Sequence, residues 1–182
     1  MDPNRKLTQY VRERWGSDKG LSGEVEAIAQ TPDGYLWIGT TTGLFRFDGT
    51  NFSPASDQGA SSVPFLNVLG LMVDNRGDLM VSLPERNRLR YVNGTFENVL
   101  YPLRQRELAI TAMCRSKDGA PLIAGIVNGV MKYRNGQFEP IASSSSLPSS
   151  PIVFMAQSAE GRIWLGTREP ASSISTATTL RR

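Results

Sequence analysis

The sequence predicts an all-β protein that repeats one four-stranded unit. The first observation is a short phrase, a charged residue followed by glycine and a mostly apolar run, that occurs four times along the 182 residues. Its glycines lie 43, 42 and 42 residues apart, at Gly34, Gly77, Gly119 and Gly161. A fixed period of this size indicates stacked copies of one supersecondary unit, none of which buries its apolar face alone.

The second observation is that side-chain size recurs at fixed distances from each glycine. A β-branched residue stands nine positions before the glycine in every copy: Val25, Val68, Ile110 and Ile152. Four positions after the glycine stands an apolar residue, and five positions after it stands a small one. The four pairs are Ile38 and Gly39, Val81 and Ser82, Ile123 and Ala124, and Leu165 and Gly166. Short apolar runs with these fixed residue sizes, separated by tight turns, indicate strands, because the apolar residues of a helix would recur every 3.6 residues.

The first copy shows how the strands of the unit are joined. Its first two strands are predicted at 25–30 and 35–40, linked by a two-residue type I′ turn at Asp33-Gly34, because glycine adopts a positive φ without steric penalty. Two further turns, each containing glycine, lead to a third strand at 44–47 and a fourth that begins at Phe52. The predicted unit is therefore a four-stranded antiparallel sheet.

Copies two and three end as the first does. An Asn-Gly turn precedes an aromatic residue, Phe96 or Phe138, that opens the last strand. Four short strands in about 42 residues match a β-propeller blade better than any helical repeat. Tyr10 lies 15 residues before Val25, close to the distance at which the outermost strand begins in the other copies. The N-terminal segment is therefore predicted to contain a strand that closes another blade.

We predict one incomplete propeller domain with an N-terminal closing strand and about three and a half four-stranded antiparallel blades. Its segments are an N-terminal tail at 1–6, the closing strand and lead-in loop at 7–23, blade 1 at 24–60, blade 2 at 61–104, blade 3 at 105–147, half of blade 4 at 148–169 and an unpatterned tail at 170–182. The chain is interpreted as a fragment, whose natural, artificial or frame-shifted origin stays open. Propellers close with roughly four to eight blades, so the open strand edges are expected to favour self-association.

One contiguous pattern covers the first blade and its lead-in. It consists of Gln9-Tyr10-Val11, Trp15, Asp18-Lys19-Gly20-Leu21, Val25, Ala27-Ile28, Asp33-Gly34-Tyr35-Leu36-Trp37-Ile38-Gly39-Thr40, Gly43-Leu44 and Arg46-Phe47-Asp48-Gly49. This pattern resembles the repeat of the two-component regulator propeller family. The resemblance covers about 7–167 and departs in two copies, where Met80 and Leu122 replace the tryptophan and Ser82 and Ala124 replace the glycine.

The resemblance implies a sensor domain in the periplasm or outside the cell. In that family, paired seven-bladed propellers are usually joined through a small β-sandwich and one membrane helix to a histidine kinase or a diguanylate cyclase. An intact protein of this kind would bind a small-molecule or glycan ligand of unknown identity and associate with itself through the propeller. The segment itself would be the non-catalytic input module, with the transmitter domain downstream.

The composition limits the chemistry that this segment supports. It has no histidine, so it lacks the commonest general base, the commonest zinc ligand and the phospho-acceptor of a histidine kinase. We predict no catalytic, cofactor-binding or metal-binding residues and no cofactor, and the ligand-binding residues are unknown. Asp33, Asp48, Asp74 and Asp118 are interpreted as turn residues, with calcium binding or paired acid–base chemistry as the alternative. The serines at 143–146 and 149–150 are interpreted as part of a linker.

Four other features bear on the function. Arg86, Arg88 and Arg90 would share one strand face, either toward a ligand or as a charged guard on an edge. Trp37 and Trp164 occupy the same position of the repeat and are predicted to pack in the core, with a carbohydrate platform as the alternative. Cys114 is interpreted as a small buried hydrophobe, with a reactive thiol as the alternative. The net charge of +3 without interleaved aromatic residues argues against nucleic acid binding.

Three classes of function remain open at this point. They are a ligand-sensing input module, a protein-interaction propeller without a small ligand, and a propeller enzyme such as a lyase or a glycosidase. The first is favoured, largely through the resemblance. Loops 53–65, 97–108 and 139–151 are the candidates for ligand contact, because they vary in length while the turns inside blades stay fixed. No run approaches 18 apolar residues and 1–6 lacks an apolar signal core, so the sequence predicts neither a membrane span nor a secretion signal.

Overall fold

A computed structural model of the chain describes residues 13–58, 64–84, 88–98, 110–125, 129–134, 137–142, 147, 150–167 and 177–180. Within these ranges the structure is almost entirely β and forms four antiparallel sheets, each with its strands in chain order. Each sheet is one propeller blade, which confirms the predicted fold class. Short 3₁₀ turns at Ser17–Lys19 and Ala55–Gln58 flank the first blade.

The strand bounds follow the repeat. Blade 1 contains β1 (Val25–Gln30), β2 (Leu36–Thr40), β3 (Leu44–Phe47) and β4 (Phe52–Pro54). Blade 2 contains β5 (Gly70–Val73), β6 (Leu79–Ser82), β7 (Arg88–Val92) and β8 (Thr95–Asn98). Blade 3 contains β9 (Ile110–Arg115), β10 (Pro121–Gly125), β11 (Gly129–Arg134) and β12 (Gln137–Ala142), and blade 4 contains β13 (Ile152–Gln157), β14 (Ile163–Thr167) and β15 (Ala177–Leu180).

The fourth blade is larger than the sequence predicted. The segment 170–182 was expected to have no pattern, but β15 pairs with β14 from Ile163↔Leu180 to Gly166↔Ala177. Without β15, the second edge of β14 would present a row of unpaired N–H and C=O groups. Two adjacent threonines, which favour the extended conformation, form the middle of the added strand. The predicted closing strand lies mainly outside the described residues.

The turn between the first two strands of each blade also differs from the prediction. Thr31 C=O accepts a hydrogen bond from Gly34 N–H at 2.9 Å, and Thr31 N–H donates to Tyr35 C=O at 3.1 Å. Gly34 has φ 92° whereas Asp33 has no positive φ, so the hairpin has a three-residue loop and the predicted type I′ turn is wrong. A small polar residue holds the first position of this turn in all four copies and glycine holds the fourth, which is the pattern that a type I turn favours.

The same pair of backbone hydrogen bonds recurs in the turns that contain Gly77, Gly119 and Gly161. Type I′ geometry does occur elsewhere in the chain. Asn93 and Gly94, at φ 49° and 84°, form the two-residue turn between β7 and β8. Asparagine tolerates the left-handed region, which explains why an Asn-Gly turn adopts this conformation where a Pro-Asp-Gly turn does not.

The blades stack side by side through their innermost strands. Strand β1 contacts β5, β5 contacts β9, and β9 contacts β13. The apolar clusters lie mainly between blades: one joins blades 1 and 2 and a second joins blades 3 and 4. Blades 2 and 3 therefore pack against a neighbour on both faces of the sheet. We call these the next-blade face and the previous-blade face, after the neighbour that each contacts.

Blades 1 and 2 show how the two kinds of face interlock. The next-blade face of blade 1 is formed by Ala27, Ala29, Trp37 and Gly39, and the previous-blade face of blade 2 by Val68, Leu71, Leu79 and Val81. A Cβ added to Gly39 would lie 2.4 Å from Val68 Cγ1, so only glycine permits this approach. Trp37 and Gly39, two residues apart on β2, thus share one face and interlock with blade 2, as the alternation of side chains along a strand predicts.

Trp37 is the largest side chain in this interface and is 1% exposed. Its ring lies 4.9 Å from that of Tyr91 and 6.0 Å from that of Phe96, measured between centroids, so the indole packs on the third and fourth strands of blade 2. The indole N–H donates to Thr31 Oγ1 at 3.2 Å, which satisfies the one polar group of the side chain. The core interpretation of Trp37 is confirmed.

We expect Trp37→Ala to lower the free energy of unfolding by about 3–5 kcal/mol, because it empties the interface between blades 1 and 2. Trp164→Ala is the matched control, since Trp164 holds the same repeat position but is 41% exposed. Its loss should cost no more than about 1 kcal/mol in dilute solution. Equilibrium urea denaturation of both variants checks the difference, and equal losses would show that burial between blades does not determine stability.

Candidate functional site

The four innermost strands line one groove. Each of β1, β5, β9 and β13 is the first strand of its sheet, so one edge of each has no partner within its own blade. These edges border a groove of about 930 Å³. Its lining comes from all four blades, at 26–32, 34, 69–77, 111–115 and 153–155. We call this space the axial groove.

The axial groove presents both polar and apolar groups. Glu26, Asp74, Arg76 and Arg115 bring charges of both signs, and the methionines of β9 and β13 bring flexible apolar surface. Unpaired backbone groups at strand edges provide hydrogen-bond donors and acceptors along the groove. Such a lining suits an extended polar ligand with apolar patches.

The aspartates act as turn residues, as predicted. Asp48 Oδ1 accepts hydrogen bonds from the backbone N–H groups of Asn51 at 2.7 Å and Thr50 at 2.8 Å, and these bonds hold the pKa of Asp48 below its usual value. Asp74 Oδ1 accepts from the N–H groups of Arg76 at 2.8 Å and Asp78 at 3.0 Å. Within the described residues, no group of three or more acidic, histidine or cysteine side chains could hold a metal ion.

A cation on the third strand of blades 1 to 3 was missed by sequence reasoning. The Arg46 guanidinium lies 4.3 Å from the centre of the Tyr35 ring, Arg90 forms an ion pair with Asp78, and Lys132 forms one with Asp118. In each case the third strand is bound to the turn between the first two strands. The signal was present in the sequence, because each cation directly precedes an aromatic residue of its strand.

The ion pair between Arg90 and Asp78 therefore joins two strands of the same blade. Arg86 and the side chain of Arg88 lie outside the described residues, so the proposed basic stripe stays a prediction. The candidate loops 53–65, 97–108 and 139–151 are described only in part, and the serines at 143–146 and 149 lie outside the described residues. Whether these candidates lie close together therefore stays a prediction.

The Lys132–Asp118 pair borders a second cavity, of about 660 Å³, between blades 3 and 4. Lys132 Nζ lies 2.5 Å from Asp118 Oδ2, and its side chain is only 9% exposed. The hydrogen bond from Lys132 and a second from Ser116 hold the pKa of Asp118 far below its usual value. Asp118 thus stays ionised and keeps a mostly buried ammonium group paired.

The structure also describes Cys114 and Trp164, two residues that the sequence analysis singled out. Cys114 is half-buried on β9, where burial raises the pKa of its thiol to about 11 and keeps it protonated at neutral pH. The core prediction is wrong for Trp164, which is 41% exposed on the side of blade 4 that faces away from blade 3. Among the described residues, no helix has the length and apolar character that a membrane span requires.

Two segments of the chain, 19–42 and 146–169, match the family model described as two component regulator propeller. These segments correspond to the first and fourth copies, which keep the tryptophan and glycine that copies two and three have lost. The match confirms the recognised repeat. The chain has no significant match among curated proteins.

Solved structures share the fold at low sequence identity. The extracellular domain of the putative hybrid two component system BT3049 from B. thetaiotaomicron gives a TM-score of 0.65 at 20% identity, over 85% of this chain and 24% of that one. The corresponding domain of BT4673 from the same organism gives 0.59 at 15% identity, over 87% and 22%. The chain thus spans about a quarter of the length of these domains.

An enzyme has a similar structure. A catalytically inactive histidine-to-alanine variant of virginiamycin B lyase from Staphylococcus aureus gives a TM-score of 0.61 at 13% identity, over 84% of this chain and 54% of that one. At such identity the likeness concerns the fold alone. The comparisons establish the propeller fold and two copies of the two component regulator propeller repeat, and they leave the ligand open.

We expect Asp118→Asn to lower the free energy of unfolding by about 1–2 kcal/mol at neutral pH, because Lys132 loses its charged partner while Asp118 itself stays partly solvated. The folded-state pKa of Asp118 is lowered, so the stability it provides is present above the unfolded pKa of about 4 and is lost as pH falls below it. Urea denaturation between neutral and acidic pH checks this, and a variant that keeps the wild-type pH dependence would contradict it.

Proposed function

We propose that this chain, which carries two-component regulator propeller repeats, is part of the non-catalytic sensor module of a bacterial signalling protein and binds a ligand in its axial groove. The observation that carries the proposal is the convergence of four blades on one groove. Its volume of about 930 Å³ lies within the range of roughly 300–1,000 Å³ that small-molecule sites occupy.

The groove can couple binding to a change in shape. Each blade contributes one edge strand, and the blades contact one another mainly through side chains between their faces. A ligand that touches two or more edge strands favours one relative tilt of those blades over another. Binding would then shift the population between two arrangements of the sensor, and the downstream transmitter domain would respond to that shift.

In this proposal the loops between blades form one end of the groove. Loops 53–65, 97–108 and 139–151 lead from the last strand of one blade to the first strand of the next, so they enter the innermost strands at the same end. Side chains from these loops would select the ligand, while the edge strands supply hydrogen bonds common to many ligands. We place the sensor in the periplasm or outside the cell, in line with the extracellular domains that share its fold.

The enzyme alternative has less support. In the similar lyase, the variant that lacks one histidine is described as catalytically inactive, and this chain contains no histidine. The charged groups of the axial groove that the structure describes include turn carboxylates already engaged by backbone N–H groups. A protein-interaction role without a small ligand remains the second candidate, and the binding experiment below separates it from sensing.

The proposal is tested by titrating the chain with cellohexaose, xylohexaose and an oligogalacturonate, followed by NMR of backbone amides. We expect at least one of these probes to shift amides of β5 and β9 without being cleaved, because both strands line the axial groove. Thr111→Arg, which places a long cation in the middle of the groove, should weaken that binding by at least about tenfold. Asp48→Asn, in an outer turn, is the control and should leave binding unchanged.

Three results would contradict the proposal. Binding that is equally strong in Thr111→Arg would place the ligand outside the groove. No response to any probe at millimolar concentration would favour a protein-interaction module. Cleavage of a probe would favour the enzyme alternative.

A further inference from the structure

The innermost strands of blades 1, 3 and 4 each carry one extra residue. Where β1 pairs with β2, the register advances two residues on β1 for one on β2, and Glu26 is the residue without a partner of its own. The pairing of β9 skips Thr111 and that of β13 skips Val153 in the same way. All three lie eight positions before the turn glycine of their copy. Such an insertion is a β-bulge, which re-aims a side chain and bends the strand.

Blade 2 has the same arrangement at Leu69, which holds this position of the repeat just before β5. Its N–H donates to Ser82 C=O at 2.9 Å, and Ser82 is also the partner of Gly70, the first residue of β5. Two successive residues therefore engage a single residue of β6, as they do in a bulge. We call these four positions the bulge residues: Glu26, Leu69, Thr111 and Val153.

The bulge in blade 2 directs the residues on either side of it to different neighbours. Val68 packs against Gly39 of blade 1. A Cβ on Gly70 would instead lie 3.1 Å from Met113 Cγ of blade 3. In a regular strand, residues two apart share one face of the sheet. The inserted Leu69 changes this register and itself lines the axial groove.

Blade 3 repeats this division. Ile110 belongs to the apolar cluster within blade 3, whereas Ala112 belongs to the cluster shared with blade 4. These two residues are 1% and 4% exposed, and Thr111 between them is partly exposed. Leu69 is likewise partly exposed between two buried residues. Because blades 2 and 3 have a neighbour on both sides, this exposure does not depend on where the chain begins or ends.

The residue before the bulge is bound to the preceding blade in both cases. Val68 N–H donates to Thr40 C=O at 3.1 Å. Ile110 C=O accepts a hydrogen bond from Ser82 Oγ, also at 3.1 Å. These contacts hold the backbone beside each bulge, so little order is lost when the bulge side chain meets a ligand. Side chains supported in this way are suited to discriminate between ligands.

All four bulge residues line the axial groove. Their chemistry differs from copy to copy, whereas the position before them is β-branched every time. We propose that the bulge residues determine which molecules the axial groove accepts. This inference deepens the proposed function and rests on it, because it assigns selectivity inside the same groove. The loops between blades would select at the end of the groove, and the bulge residues within it.

The bulge residues favour a ligand that carries hydrogen-bond donors and no negative charge at their level. Glu26 is exposed and offers a carboxylate as acceptor. The Thr111 hydroxyl donates to Ala124 C=O at 3.5 Å, which leaves its oxygen free to accept a further bond. The two alkyl bulge residues provide apolar contact. Arg115, the cation of β9 in the groove, follows Thr111 by four residues, or about 13 Å along the strand.

Cysteine labelling tests the placement without any ligand. The background is Cys114→Ala, because the chain has a single cysteine. Leu69→Cys should react with a methanethiosulfonate reagent at least about 100-fold faster than Val68→Cys, since Val68 is fully buried. The same difference is expected between Thr111→Cys and its buried neighbour Ala112→Cys. Circular dichroism of each variant verifies that its β structure is intact.

The charge of the reagent tests selection. A trimethylammonium and a sulfonate reagent are compared at Leu69→Cys, and Glu26 lies on the neighbouring innermost strand. Glu26→Lys should lower the ratio of the cationic to the anionic rate at least about fivefold. Glu97→Lys makes the same change of charge on the outermost strand of blade 2 and is the control. It lies about 14 Å farther out, beyond the screening length, and should change the ratio less than about twofold.

The probes of the proposed function give a separate readout. The oligosaccharide that shifts amides of β5 and β9 should slow the labelling of Leu69→Cys and Thr111→Cys at least about fivefold, because it covers both side chains. Absence of binding by every probe would contradict the proposed function alone, since labelling requires no ligand.

Three results would overturn this inference. Equal labelling of a bulge position and its buried neighbour would show that the bulge does not direct its side chain into the groove. A rate ratio that Glu26→Lys leaves unchanged would show that the bulge residues do not control what enters. Labelling that continues at full rate beneath a bound oligosaccharide would place the ligand away from them.

Discussion

The structure depends on the interlock between neighbouring blades. No blade has two layers of its own, so a sheet of four short strands can bury its apolar side chains only against the next sheet. Trp37 illustrates the constraint, because its indole belongs to blade 1 but is buried by aromatic residues of blade 2. The close approach of Gly39 to Val68 is its counterpart at the inner end of the interface. Stability therefore arises mainly between repeats, although a smaller apolar cluster lies within blade 3.

The axial groove and the apolar faces at the two ends of the series are consequences of the same constraint. Stacking the blades through their faces leaves the innermost strand edges directed toward a shared space, and this space is the candidate ligand site. Stacking also leaves one face of each kind at the ends of the series. Trp15 covers part of the first of these faces, while Trp164 is left partly exposed on the second. One packing rule thus explains the core, the groove and the exposed apolar surface.

The sequence predicted the architecture well because the repeat constrains residue size at each position. The positions of Trp37 and Gly39 on one face followed from strand alternation alone. The turn geometry did not follow from the Asp-Gly pair alone, because the turn type also depends on the small polar residue three positions before the glycine. Strand β15 was missed because it is defined by pairing with β14, and its own residues have no apolar period. The axial groove could be located only by structure, since strand edges carry no side-chain signature.

Hydrogen exchange of the native chain tests the central claim most directly. If the interfaces between blades hold the structure together, the amides of β6 and β10 should exchange only through global unfolding and share one free energy of opening. These strands lie in the middle of blades 2 and 3, where both neighbours are present. A separate and lower free energy of opening for each blade would contradict the account, because it would show that the blades are stable individually.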